Sequence, residues 1–134
     1  MKRLSYLFTI LFCSILFASC GSINKNLKEE MQKIKEQCPI DMGQGIVMTN
    51  VDFYEGEKIL EYVISIDGVE SIDQDGVQQM KEAIVKELVS DNYSFVSNVS
   101  VKMILKQGYR FRYIYTDVAG NKLAEIIIND SDLP

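Results

Sequence analysis

The N-terminal segment most constrains what this chain can fold into, because it separates a leader from the residues that can build a domain. Lys2 and Arg3 precede a mostly apolar stretch that runs from Leu4 to Phe17. This arrangement is typical of a secretory signal peptide, and the apolar stretch is too short for a stable membrane span. We therefore predict a signal peptide over residues 1–19, which leaves residues 20–134 for the mature protein.

The residues after the apolar stretch suggest how the mature protein is anchored. The run Phe17-Ala18-Ser19-Cys20-Gly21 places two small residues before a cysteine. It resembles the lipobox of bacterial lipoproteins, although leucine is commoner than phenylalanine at the position of Phe17. The resemblance implies a lipidated Cys20 and attachment to the membrane, with several acyl chains giving a stable anchor. The alternatives are an uncleaved anchor or an ordinary secretory leader.

The residue after the cysteine bears on the choice of membrane. Position 21 is glycine and not aspartate, which resembles an outer-membrane sorting signal of enteric bacteria. The resemblance implies that the protein lies in the cell envelope. It favours the periplasmic side of the outer membrane over the inner membrane.

Charge and missing residue types exclude several classes of function. The chain has 14 basic and 19 acidic residues, and loss of the leader removes two of the basic ones. Such an acidic domain repels phosphate backbones, so we expect no nucleic-acid partner. Because the chain has no histidine, it cannot use a histidine general base, a Ser-His or Cys-His nucleophile pair, or a metal site with histidine ligands. We therefore predict a protein that is not an enzyme and needs no cofactor.

Hydrophobic periodicity predicts the secondary structure of the mature chain. Residues 21–26 are small and polar, as in a tether. Residues 27–37 have helical spacing and form either a spacer or a helix that docks on the domain. Alternating residues from Val47 to Phe53 and from Ile59 to Ile66 predict a β-hairpin. The next helix has Asp73 or Asp75 as its cap and an apolar stripe that ends at Leu88.

The C-terminal part of the chain contains one ambiguous segment and a second hairpin. Residues 96–107 fit both a strand and a helix, and Gly108 at a helix C-terminus favours the helix. Alternation over 109–115 and 123–128 predicts the hairpin, and residues 129–134 are expected to fray. The predicted fold is α+β, with two hairpins forming a four-stranded antiparallel sheet and one or two helices on one face. Residues 20–37 would hold the lipidated cysteine, tether and short helix, and residues 38–134 the globular domain.

A set of structural motifs resembles a group of small bacterial envelope proteins of unassigned function. The resemblance covers residues 38–128, and its matching features are Cys38-Pro39, Tyr62, the long central helix, Gly108 and Tyr113-x-Tyr115-x-Asp117-x-x-Gly120. It implies the α+β layout and a helix over 96–107, and it transfers no catalytic residue. Some members have a second cysteine in the helical region, and this chain has none there.

One acidic loop has the spacing of a calcium site. Ser71, Asp73, Asp75 and Glu82 follow the positions of an EF-hand loop, with Gly76 at its sharp turn. Serine replaces the first aspartate of that pattern, and a strand precedes the loop where an EF-hand has a helix. The alternative is a turn followed by a helix N-cap, which also favours aspartate.

Cys38 and the residues of the second hairpin are further candidates. Cys38 is the one thiol left after cleavage and acylation. We expect a buried apolar residue, and the alternatives are one half of an intermolecular disulfide or a nucleophile activated by a lysine or a helix end. The face formed by Tyr109, Phe111, Tyr113 and Tyr115 is either core or an uncovered binding surface. Arg110 and Arg112 lie on a strand face that we expect to be solvated, and the alternatives are pairing with Glu125 across the hairpin or contact with an acidic ligand.

These features favour a lipid-anchored, non-enzymatic module of the cell envelope. We expect its partners to be the membrane, through the lipid, and another envelope protein, through a sheet edge or an aromatic surface. The alternative is an accessory lipoprotein that binds a small ligand or calcium at residues 71–82.

Overall fold

The computed structural model describes residues 23–89 and 95–134. The predicted signal peptide and Cys20 lie outside the described residues. The elements in chain order are α1 (Ile23–Gln37), β1 (Ile40–Gly43), β2 (Ile46–Tyr54), β3 (Ile59–Ile66), α2 (Gln74–Leu88), α3 (Phe95–Lys106), β4 (Arg110–Thr116), β5 (Lys122–Ile128) and a 3-10 turn (Asp130–Asp132). The domain is therefore α+β, as the sequence predicts.

The strands form one mixed sheet in the order β1-β2-β3-β4-β5. Both predicted hairpins are present, since β2 pairs antiparallel with β3 and β4 pairs antiparallel with β5. The prediction of a four-stranded antiparallel sheet is wrong, because β1 adds a fifth strand and β3 pairs parallel with β4. Parallel neighbours need a long crossover connection, and the segment that contains α2 and α3 supplies it. This crossover starts β4 at the same end of the sheet as β3.

The sequence pattern does not predict strand β1. The strand has only 4 residues, too few for alternation to be recognised in the sequence. The turn that joins it to β2 consists of three residues with positive φ, namely Gly43 at 81°, Gln44 at 56° and Gly45 at 76°. Glycine adopts such left-handed backbone without a steric penalty, so the chain reverses tightly and β1 pairs back on β2.

Helix α1 docks on the domain, which excludes the spacer interpretation. Leu27, Met31 and Ile34 are buried and belong to the core cluster. The helix also begins at Ile23, so residues 23–26, predicted as tether, are helical. The hydroxyl of Tyr109 donates a hydrogen bond to Asn24 Oδ1 at 3.0 Å. This contact holds the first turn of α1 against the sheet.

Helix α3 confirms the helical interpretation of residues 96–107. Its C-terminus is a Schellman motif, in which the Gly108 N–H donates to Leu105 O at 3.0 Å and the Tyr109 N–H donates to Ile104 O at 3.4 Å. Gly108 takes the left-handed conformation with φ 91°. The glycine therefore ends the helix and turns the chain directly into β4.

A single core lies between the helices and one side of the sheet. The aromatic face of β4 belongs to this core, and the rings of Tyr62 and Tyr113 stack at 5.3 Å between centroids. In the described part of the chain, no helix is long and apolar enough to cross a membrane.

The C-terminal residues are ordered against the domain, so the prediction of fraying is wrong. Asn129 caps the 3-10 turn, accepting from the Ser131 N–H. Leu133 packs against the core, and Lys81 Nζ lies 3.0 Å from Asp132 Oδ1. Leu133 and the capping side chains of Asn129 and Asp132 therefore hold the C-terminal residues, which were expected to fray.

Candidate interaction site: the open face of the sheet

The side of the sheet opposite the core carries the strongest candidate site. Alternate residues of a strand point to opposite sides, and the buried residues of all three helices cluster with only one of them. On the other side, the apolar residues Val63, Ile114, Leu123 and Ile127 are half-buried and lie outside the core cluster. Among residues 23–89 and 95–134, no helix packs on this side. We call it the open face, and it consists of Asp52, Tyr54, Glu61, Val63, Arg112, Ile114, Leu123, Glu125 and Ile127.

An ion pair lies at the centre of the open face. The parallel register places Glu61 of β3 opposite Arg112 of β4. Arg112 Nε donates to Glu61 Oε2 at 2.7 Å, and its Nη2 lies 2.5 Å from the same oxygen. Only 9% of the Glu61 side chain and 21% of the Arg112 side chain are exposed. Because the carboxylate is held by the guanidinium, it is poorly suited to act as a general acid or base.

Aromatic and polar side chains extend this pair toward β2. The guanidinium carbon of Arg112 lies 5.3 Å from the ring centre of Tyr54, close enough for a cation–π contact. The negative charge of Glu61, with partial burial, raises the pKa of the Tyr54 hydroxyl. Asp52 forms an ion pair with Lys35 of α1 and accepts from Asn50 Nδ2 at 2.9 Å. The open face therefore has a charged row with satisfied partners.

Apolar residues flank the charged row. Ile127 lies opposite Arg112, and Val63 lies opposite Ile114 one row further along the strands. Tyr54 is 38% exposed at the edge of the surface. Half-buried isoleucine and valine therefore surround the central charge pair, with the more exposed Tyr54 at the edge.

The predicted calcium residues are not brought together. Asp73 is the N-cap of α2, and its Oδ1 accepts from the Gly76 N–H at 2.7 Å. Asp75 and Glu82 both lie within α2, so about 10 Å of helix separates them along the axis. Glu82 accepts from Gln78 Nε2 at 3.1 Å. Ser71 precedes the helix, so the segment forms the predicted N-cap in place of a continuous calcium loop, and the described residues contain no acidic cluster that could hold a metal ion.

Cys38 is half-buried at the end of α1. Its thiol donates to Ile34 O at 3.4 Å, and the residue packs against the core. Burial raises the pKa of this thiol, and Lys35 opposes the shift. A raised pKa lowers the thiolate fraction and hence the reactivity. An intermolecular disulfide through Cys38 stays a prediction.

Arg112 is not simply solvated, as the sequence favours, because it pairs with a residue of the other hairpin. The partner of Arg112 is Glu61 on the parallel strand, and Glu125 pairs with Lys122 at 2.8 Å. One signal for the true partner was present in the sequence: Glu61 is the one charged residue in the otherwise apolar strand Ile59–Ile66. A buried carboxylate needs a partner.

A shallow groove lies between α2 and the C-terminal residues. It has a volume of about 390 Å³, and Val85, Val89 and Pro134 are among its lining residues. The Lys81–Asp132 and Gln78–Glu82 contacts engage four of its polar side chains, and Lys86 also lines it.

Comparison with protein families places this domain in one of them. The family model described as "Domain of unknown function (DUF8479)" matches residues 22–124. No curated protein matches the sequence.

Three solved structures share the fold at low sequence identity. A pilotin from the Vibrio vulnificus type 2 secretion system, EpsS, has a TM-score of 0.57 at 12% identity, over 80% of this chain and 87% of the pilotin. The Vibrio cholerae type II secretion system pilotin AspS has a TM-score of 0.51 at 9% identity, over 78% and 86%. A candidate secreted protein from Pseudomonas aeruginosa has a TM-score of 0.53 at 12% identity, over 84% and 97%. At these identities the likeness establishes the fold alone.

Proposed function

The chain belongs to this family of unknown function, and we propose that it is a lipid-anchored, non-enzymatic module that binds another envelope protein through the open face. Its anchor would be the lipid on Cys20, left as the first residue after removal of residues 1–19. Its location would be the periplasmic side of the outer membrane. Two structures of the same fold are pilotins of type II secretion systems, and a role among the proteins of a secretion system supports a protein partner for this fold.

The observation that carries the proposal is the uncovered apolar surface around the Glu61–Arg112 pair. Val63, Ile114 and Ile127 are half-buried without belonging to the core. Burial of apolar area contributes about 25 cal/mol per Å², so covering these side chains with a partner is favourable. The charged pair at the centre and Tyr54 at the edge would add specificity, since polar groups in an interface reject partners that leave them unpaired.

Site-specific cross-linking in the native membrane tests this surface. A photoreactive residue would replace Ile114 or Ile127 on the open face, and Gln79 on the exposed side of α2 would receive the same residue as a matched control. We expect one discrete adduct from both open-face positions and none from Gln79. The experiment uses the full chain, so that leader and anchor are processed normally.

A charge on the open face serves as the specificity control. Ile127→Asp should abolish the adduct formed at position 114 while leaving the melting temperature within a few degrees of the parent. Adducts of equal yield from the open face and from α2, or an adduct that survives Ile127→Asp in a folded protein, would contradict the proposal. Loss of the adduct in a Cys20→Ala protein would connect binding to the anchor.

A further inference from the structure

The short distance between Cys20 and the folded domain limits how the domain can sit on its membrane. Helix α1 begins at Ile23, the third residue after Cys20. Each residue spans at most about 3.6 Å, so an anchored lipid lies within about 10 Å of the start of α1. Because Leu27 and Met31 hold α1 in the core, the start of this helix cannot move far from the sheet.

We infer that the domain rests directly on the bilayer through this end, with exposed lysines on anionic phospholipid headgroups. The inference rests on the lipidation of Cys20 included in the proposed function. It extends that function by assigning a second surface, separate from the open face, to the membrane itself.

Three segments meet at the end of the domain where α1 begins, and we call this region the membrane end. Lys28 Nζ of α1 lies 3.7 Å from Glu55 Oε2 in the turn between β2 and β3. Lys58 in the same turn donates to Gln107 O at 3.0 Å, just after α3, and lies 5.2 Å from the ring centre of Tyr109. These contacts hold the first turn of α1, the β2–β3 turn and the end of α3 in one surface.

Charge is distributed unequally between the two ends of the sheet. The membrane end carries the exposed lysines Lys25, Lys28, Lys58 and Lys106, the half-buried Arg110, the carboxylates Glu55, Glu57 and Asp130, and the Lys81–Asp132 ion pair. The opposite end carries six carboxylates and one lysine, namely Asp41, Asp67, Glu70, Asp73, Asp75, Asp117 and Lys122. The membrane end therefore has a net positive charge and the opposite end a net negative charge.

An anionic bilayer acts on both ends in the same sense. Each lysine near such a surface is attracted, each carboxylate is repelled, and the field decays within about 10 Å. The membrane end is therefore held at the headgroups and the acidic end is directed away from them. Strands β3 and β4 then run away from the membrane, and the open face stands upright, accessible to a partner beside it.

Lysine acetylation on vesicles tests the orientation. The lipidated mature protein would be reconstituted into vesicles of phosphatidylcholine alone or of phosphatidylcholine with phosphatidylglycerol, and treated with a membrane-impermeant amine reagent. Peptide mass spectrometry would give the labelling rate of each lysine. We expect Lys28 and Lys58 to react more slowly on the anionic vesicles, and Lys122 to react equally on both.

Two variants separate charge attraction from simple proximity. The substitutions Lys25→Gln and Lys106→Gln each remove one positive charge from the membrane end. Each should reduce about fivefold the protection of Lys58, which is the ratio of its labelling rates on neutral and on anionic vesicles. The control Lys122→Gln should leave that protection unchanged. A labelling rate of Lys58 that is equal on the two kinds of vesicle, in a protein whose intact mass includes the lipid, would refute this inference alone. An intact mass without lipid would refute the anchor of the proposed function, and with it this inference.

Discussion

Replacing Arg112 with methionine removes the positive charge at the centre of the open face and keeps most of the aliphatic stem. Two charges about 4 Å apart near a protein surface attract each other by about 4 kcal/mol before the cost of desolvation. Removing one partner of a fully buried pair costs about 3–5 kcal/mol. Since 21% of Arg112 stays exposed and water reaches the pair, we expect a loss of about 2 kcal/mol of unfolding free energy, below that range.

The reverse change should cost less. Glu61→Gln leaves a guanidinium that is more exposed than the carboxylate and still contacts Tyr54, so we expect a loss of about 1 kcal/mol. In the double variant neither charge is left without its partner. Its loss should therefore be about 1.5 kcal/mol smaller than the sum of the two single losses.

Urea unfolding of the four proteins gives these free energies, provided that the dependence on urea is the same for all. The matched control is the exposed pair of Lys122 and Glu125 on the same sheet, whose side chains are 57% and 35% exposed. The same cycle on that pair should give a coupling below about 0.5 kcal/mol. Single losses below about 0.5 kcal/mol and an additive double variant at Glu61 and Arg112 would refute the reasoning, because water would then screen the pair completely.

The remaining predictions concern the helices, one turn and the thiol. Leu27→Ala should cost about 3 kcal/mol of unfolding free energy, and a cost below about 1 kcal/mol would show that α1 is not docked. Asp73→Ala should cost about 1 kcal/mol through loss of the cap, equally with and without calcium, so a calcium-dependent melting temperature would contradict the helix-cap interpretation. Hydrogen bonds from Asn121 lower the pKa of Asp117; Asn121→Ala should therefore raise it toward the ordinary value of 3.8 in an NMR titration, and an unchanged value would contradict this origin. The native turn is accordingly stabilised above the unfolded pKa, and that stabilisation disappears as the pH falls through the folded pKa. Burial raises the pKa of Cys38 above its ordinary 9.0, so iodoacetamide at neutral pH should modify the native protein more slowly than the unfolded chain, and equal rates would contradict it.

Local patterns in the sequence predicted most individual elements. Alternation from Tyr109 to Tyr115 and the turn after Asp117 gave the second hairpin, because each residue of a hairpin pairs with one nearby in the chain. Gly108 correctly favoured a helix over 96–107, because a glycine in the left-handed conformation commonly ends a helix. The alternation of Val99, Val101 and Met103 alone would have suggested a strand. These features depend on short-range chemistry, which the sequence displays directly.

The pairing of distant strands was beyond the same approach. Nothing in the sequence of β3 or β4 indicates that they are neighbours, and two hairpins suggest an all-antiparallel sheet by default. The start of α1 was missed for a related reason: Asn24 is polar and reads as tether, yet its partner is Tyr109, which is 85 residues away. Contacts of this kind are created by the tertiary structure and have no local periodicity.

The ion pair of the open face combines both cases. Its partners are 51 residues apart, so the sequence around β4 offers Arg112 only solvent, the nearer Glu125 or a ligand, although a carboxylate within the mostly apolar strand β3 already indicated that Glu61 needs a cation. The pair also distinguishes the observed register of β3 and β4 from the one that would place Ile114 opposite Glu61. A shift of one residue would move the side chains of one strand to the opposite side of the sheet, and a shift of two would place Ile114 or Arg110 opposite Glu61. With Ile114 there, the carboxylate would lose its guanidinium partner and a mostly buried charge would remain unpaired. We therefore expect the pair to contribute to the choice of register between the two hairpins, as well as to the stability of the surface on which the proposed partner would bind.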